Sequence, residues 1–133
     1  KKICLYVGKY HPLYHEESVD FSDLPKLRFV RGVRDFFSME HHLESVSMGI
    51  IDTKNLHHSV YTNSDHLYTD LLLYTDVCSL GLDFMHEPYE QYDIKSLPIN
   101  GCEPFLQIGY IRDPERVLSE QSVWIIENFE KML

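Results

Sequence analysis

The chain has 133 residues, 44% of them hydrophobic and 25% charged, and carries a net charge of −9. That composition excludes a disordered tail, and the length predicts one globular domain, residues 1–133, large enough to bury a core without disulfide staples. The charge is uneven: residues 1–34 are net +3, residues 35–111 net −10, and residues 112–133 net −2. A middle so short of Lys and Arg argues against direct contact with nucleic acid, because phosphate binding needs clustered cations. It favours a basic protein partner, a cation, or simply solubility.

The three cysteines, Cys4, Cys78 and Cys102, are odd in number, far apart and set in or beside apolar runs. They read as reduced core thiols of a cytoplasmic protein. The apolar run after Lys1-Lys2 stops at Gly8, short of a signal-peptide core, and no stretch has the roughly 18–20 apolar residues that cross a bilayer. A soluble protein with no membrane contact is expected.

In chain order, Ile3–Val7 reads as a buried first strand closed by Gly8. Residues 9–23 have Pro12 and no period, and read as loop. Asp23 before Leu24-Pro25 looks like a helix start, after which Leu27, Val30, Val33 and Phe37 fall near one helical face. Residues 45–52 alternate as a strand, Thr53-Lys54-Asn55 is a plausible turn, and residues 56–61 could return as a hairpin partner. Asn63 or Ser64 can cap a helix whose stripe is Leu67, Leu71, Tyr74 and Cys78, ended by Gly81. Leu82–Met85 is then expected as strand and residues 86–103 mainly as loop. Phe105–Ile111 reads as a central strand. Asp113-Pro114 opens a helical turn, and a closing amphipathic helix follows from about Ser119. The predicted fold is α/β (α+β), with a single mixed sheet of about four to five strands and about three helices packed mainly on one face.

The familiar catalytic fingerprints are absent: there is no phosphate-binding Gly-rich loop, no H-E-x-x-H and no G-x-S-x-G. The sequence therefore predicts a protein that is not an enzyme and needs no cofactor. Eight histidines invite a metal hypothesis, best spaced at His11, His15 and Glu16, but Pro12 works against the helical turn that would aim both rings at one ion. No metal site is assigned. His57-His58-Ser59 is half of a two-histidine phosphoesterase motif whose second half is missing.

The segment with most character runs from Asp83 to Asp93 and interleaves four acids with three aromatics. Asp83, Glu87, Glu90 and Asp93 could steer a basic partner, with Tyr89 and Tyr92 as rigid anchors. These six are the candidate partner-binding residues. The reading they support is an acidic inhibitor of the immunity or antitoxin type, occluding the basic active site of a toxin such as a nuclease. The rival is a small metal- or flavin-dependent enzyme. Residues 66–111, with Cys78-Ser79-Leu80-Gly81-Leu82 and Pro104-Phe105-Leu106-Gln107-Ile108-Gly109-Tyr110, resemble the C-terminal part of flavin nitroreductases. That resemblance implies a flavin enzyme, although the Arg/Ser-rich part that holds flavin phosphate in that family has no counterpart here.

Overall fold

The computed structural model describes residues 2–33, 56, 58–86, 89–101 and 109–132. The predicted strand at 45–52 with its turn at 53–55, most of the predicted strand at 105–111, and the residues Glu87 and Cys102 lie outside the described residues.

The described residues form a mixed α+β fold with one six-stranded sheet, so the class is as expected and the strand count slightly higher. The strands are β1 (Ile3–Gly8), β2 (Val19–Asp20), β3 (Phe29–Gly32), β4 (Ser59–Thr62), β5 (Cys78–Leu82) and β6 (Ile94–Asn100). Their order across the sheet is β2-β6-β1-β5-β3-β4. β1 is antiparallel to both neighbours, β5 and β6, whereas β2/β6, β3/β4 and β3/β5 are parallel pairs. β1 therefore runs against all five other strands.

β1 is buried along its whole length, as a run without polar alternation requires. Ile3, Leu5 and Val7 point to one face, where they pack with Phe29, Leu80, Leu97 and Ile99. That face is closed by Val19, by Leu24 of a 3-10 turn (Phe21–Lys26), and by Leu13 and Tyr14 of the loop after β1. Cys4 and Tyr6 point the other way, into a second cluster with Val30, Val77, Ile94 and Leu72. Leu72 belongs to helix α1 (Asp65–Tyr74), which lies on β1 and β3. A second helix, α2 (Glu120–Met132), follows later in the chain.

Four sequence expectations are corrected. The helix expected from Asp23 is a short 3-10 turn that gives way to β3. Phe29 and Val30 are both buried but in opposite clusters, so the side-chain period there is two. The helix expected to reach Gly81 ends at Tyr74: Thr75 is extended, with φ −133° and ψ −178°, and its hydroxyl accepts the Val77 N–H at 3.3 Å. Residues 78–82 then form β5, buried on both faces, and Asp83–Met85 is a 3-10 turn where strand was expected. Finally, β6 occupies part of the expected 86–103 loop. Its Pro98 faces Cys4 across the β1 pairing, while β2 covers its other edge only at Ile99 and Asn100, so a residue lacking N–H is tolerated. The expected Ile3–Val7 strand forms as read, and Ser64 is the cap of α1.

Gly8 is where α1 comes closest to β1: a Cβ there would lie 1.8 Å from the Leu72 carbonyl oxygen. Gly8→Ala must push helix from sheet and is expected to cost about 3 kcal/mol or more, read as a lower urea midpoint.

His11 is 4% exposed, and its Nδ1 accepts the Leu13 N–H at 3.1 Å, which pins the loop after β1. Burial lowers its pKa from the usual 6.5, against a weaker upward pull from Asp76. The unfolded chain therefore binds a proton first, and stability falls as pH drops below about 6.5. Chemical denaturation at pH 7 and pH 5 should reveal that loss. His11→Asn, whose Oδ1 can take the same N–H, should reduce it.

Candidate functional site

The direction of the strands selects one end of the sheet. β3, β4 and β5 are mutually parallel and end at Gly32, Thr62 and Leu82, and α1 begins immediately beyond β4. In open α/β sheets ligands settle outside the carboxyl ends of parallel strands, where helix N-termini also point.

Local sequence builds this end. Thr62 is buried, and its hydroxyl accepts the Ser64 N–H at 3.1 Å. The Ser64 hydroxyl in turn accepts the Leu67 N–H at 3.2 Å, so two short hydroxyl side chains fix the entry to α1. Asp65 opens the first turn, where a carboxylate suits the helix dipole. One turn on, the hydroxyl of Tyr68 meets that of Ser79 on β5. Tyr6, opposite Ser79 in the β1/β5 pairing, donates its hydroxyl to the Leu82 carbonyl at 2.6 Å. Its ring lies 5.0 Å from Tyr89 and 6.0 Å from His86. Gly81 leaves room for that ring, since a Cβ there would stand 2.1 Å from Tyr6 Cε2.

Tyr6, Tyr68, Tyr89, Ser79, His86 and Asp65 are thus gathered under the start of α1. Burial raises the pKa of Tyr6 and of Tyr89, with Cys4 adding to the first and Asp65 to the second. Cys4 behind them is pushed up to about 11, chiefly by burial. These phenols and the thiol are neutral at ordinary pH, so the cluster offers hydroxyl donors and acceptors with one carboxylate. That suits hydrogen-bonded recognition of a polar molecule more than nucleophilic chemistry.

Of the six residues proposed from sequence, Tyr89 is half-buried in this cluster. Asp83 starts the turn after β5 and accepts the Lys2 N–H at 3.3 Å. Glu90, Tyr92 and Asp93 lie at the other end of the sheet, where β6 begins, with Asp93 paired to Lys9 at 3.1 Å. The segment is therefore divided between two places. The sequence reading missed Tyr6, Tyr68, Ser79 and His86. A lone Tyr in an otherwise apolar strand and a Tyr one turn after a helix cap were the available signals.

His11, His15 and Glu16 do not converge on a metal: His11 Nδ1 is used by Leu13, and His15 stands edge-on to Tyr14. Among the described residues no group of three His, Cys, Asp or Glu could hold an ion. A separate cavity of about 430 Å³ is lined by Ile111, Arg112, Arg116, Val117, Ser119 and neighbours, all from one continuous stretch ahead of and into α2.

Among solved structures, 99% of the chain matches the effector-binding domain of QuiR in complex with shikimate, with TM-score 0.54 and 17% identity. The likeness is one of fold. A full-length BenM mutant matches over the same share, with TM-score 0.59 and 14% identity. The chain spans 59% of the QuiR structure and 42% of the BenM structure, less than two-thirds of either. No protein-family model matches the sequence, and a search of curated proteins finds no significant relative.

These matches correct the functional expectation. The immunity or antitoxin-type inhibitor is not upheld, because 99% of the chain matches in fold the QuiR effector-binding domain and the BenM structure. The nitroreductase resemblance also loses its basis: Cys78–Leu82 is a sheet strand, not the end of a helix. Among the described residues no helix is long and apolar enough to cross a membrane.

Ser64→Ala removes the oxygen that meets the Leu67 amide and is expected to cost about 1 kcal/mol. Faster hydrogen exchange at Leu67 and Tyr68 than in the core strands would locate the loss at the start of α1.

Proposed function

We propose that this chain is a small-molecule effector-binding module of a transcriptional regulator of the LysR type. The observation that carries the reading is the match of nearly the whole chain to the QuiR effector-binding domain, itself bound to shikimate. The site is the carboxyl end of β3, β4 and β5 with the first turn of α1, where Thr62, Ser64, Asp65, Tyr68 and Tyr89 converge.

The chemistry of that end favours a small hydroxylated organic acid. Ligand hydroxyls can donate to Asp65 and exchange hydrogen bonds with the tyrosine and serine hydroxyls, while a carboxylate is drawn to the first-turn amides of α1, which lack intrahelical acceptors. Burying such groups unpaired costs about 1–3 kcal/mol each, so the site discriminates by hydroxyl pattern.

A panel of cyclic and linear hydroxy acids, shikimate among them, tests the reading by thermal shift and calorimetry. At about one hundred times Kd a true effector should add roughly 2.7 kcal/mol to stability. Tyr89→Phe or Asp65→Asn should weaken binding about tenfold while leaving the fold intact. A panel without a single saturable binder would sink the proposal.

A further inference from the structure

The cluster under the start of α1 contains a polar atom that the protein itself does not use. His86 follows the 3-10 turn at the carboxyl end of β5, and its Nδ1 is buried without a hydrogen-bond partner. The hydroxyls around it are committed elsewhere, Tyr6 to the Leu82 carbonyl, Tyr68 and Ser79 to each other. Packing holds the ring instead: it lies 6.0 Å from the Tyr6 ring, tilted by 33°, and Tyr89 rests on the same Tyr6 ring at 5.0 Å. The backbone closes the turn, with the His86 carbonyl accepting the Tyr89 N–H at 2.8 Å.

Other buried polar side chains of this protein are paired. His11 Nδ1 accepts the Leu13 N–H, and the Thr62 hydroxyl accepts the Ser64 N–H, each at 3.1 Å. A buried nitrogen without a partner destabilises the fold, whereas an apolar ring of similar shape would not. Against Tyr6, a Phe ring would pack as well as imidazole does. Packing therefore does not account for the nitrogen, but its place at the candidate effector site does. A ring nitrogen can give or take one hydrogen bond, and His86 is only half-buried as a residue. With nothing bonded at Nδ1, a half-turn about the Cβ–Cγ bond exchanges Nδ1 with Cδ2 and breaks no hydrogen bond.

We propose that His86 is a specificity-determining residue of the effector site, its Nδ1 pairing with one hydroxyl of the bound effector and staying unpaired in the free protein. The inference rests on the effector reading of this end of the sheet and adds to it the residue that recognises a particular hydroxyl.

The test pairs His86→Phe, which keeps a ring and removes the nitrogen, with His86→Asn, whose Oδ1 stands near the position of Nδ1. Urea denaturation of the free protein should give a higher midpoint for His86→Phe than for the parent. Calorimetry with the hydroxy-acid panel, shikimate included, and with analogues each lacking one hydroxyl supplies the second readout. For the parent, loss of one particular hydroxyl should weaken binding about tenfold. His86→Phe should bind the intact acid about tenfold more weakly and no longer distinguish it from that analogue, while His86→Asn restores part of the preference. A lower urea midpoint for His86→Phe would show that an ordered water satisfies Nδ1 in the free protein, and would overturn the proposal. So would a binder whose hydroxyl preference is the same in parent and His86→Phe, a result that leaves the effector reading standing. A panel in which nothing binds the parent overturns that reading itself, and the proposal with it.

Discussion

β1 is the element on which the sheet depends. It lies between β5 and β6 and has no exposed residue, and its two sets of side chains enter both hydrophobic clusters. Each fully buried Leu, Ile or Val there contributes roughly 1.5–3 kcal/mol of transfer free energy. Because β1 opposes the other five strands, their carboxyl ends are all collected at one end of the sheet. The chain's polar first-turn residues of α1 are delivered to that same end by the connection from β4.

Tyr6 links this scaffold to the candidate site. It is a core residue by burial, yet its hydroxyl is spent on the Leu82 carbonyl and its ring supports Tyr89 and His86. A ligand that touches Tyr89 therefore touches the packing of β1 at one remove. Such a contact can bias a regulator only by as much as the ligand's affinity differs between two arrangements of the surrounding protein. The Tyr6–Tyr89 contact, which joins a loop residue to the sheet, is a place where that difference could be generated.

Much of the fold was legible in the sequence, and the failures have identifiable causes. The apolar run at Ile3–Val7 and the Ser64 cap stand where local pattern put them, because a buried strand and an N-cap are both specified by adjacent residues. The stretch around Phe29 and Val30 misled because four apolar residues near helical spacing also alternate, and only the two sheet faces decide between the periods. The helix overran to Gly81 because Cys78 and Leu80 continue a helical stripe; the extended backbone at Thr75, whose hydroxyl takes the Val77 N–H, leaves no mark in that periodicity. The site was harder still. Acidic and aromatic residues adjacent in sequence were read as one surface, but Tyr89 turns inward whereas Tyr92 and Asp93 belong to the far end. Tyr6, Tyr68 and Ser79 meet only because β1 and β5 are neighbours, a long-range fact with no local signature.

The position of β1 in the sheet also orders events during synthesis. It is made before the other five strands, but its partners are separated from it by much of the chain: Leu5 pairs with Leu80 on one side and with Leu97 on the other. At about 5–20 residues per second, β6 leaves the ribosome roughly several seconds after β1. Until β5 follows, a buried-type strand has neither edge paired, and until β6 follows one edge stays open, in a topology whose long-range pairing slows folding. Until β5 emerges, Ile3–Val7 is thus the described strand most open to misassociation.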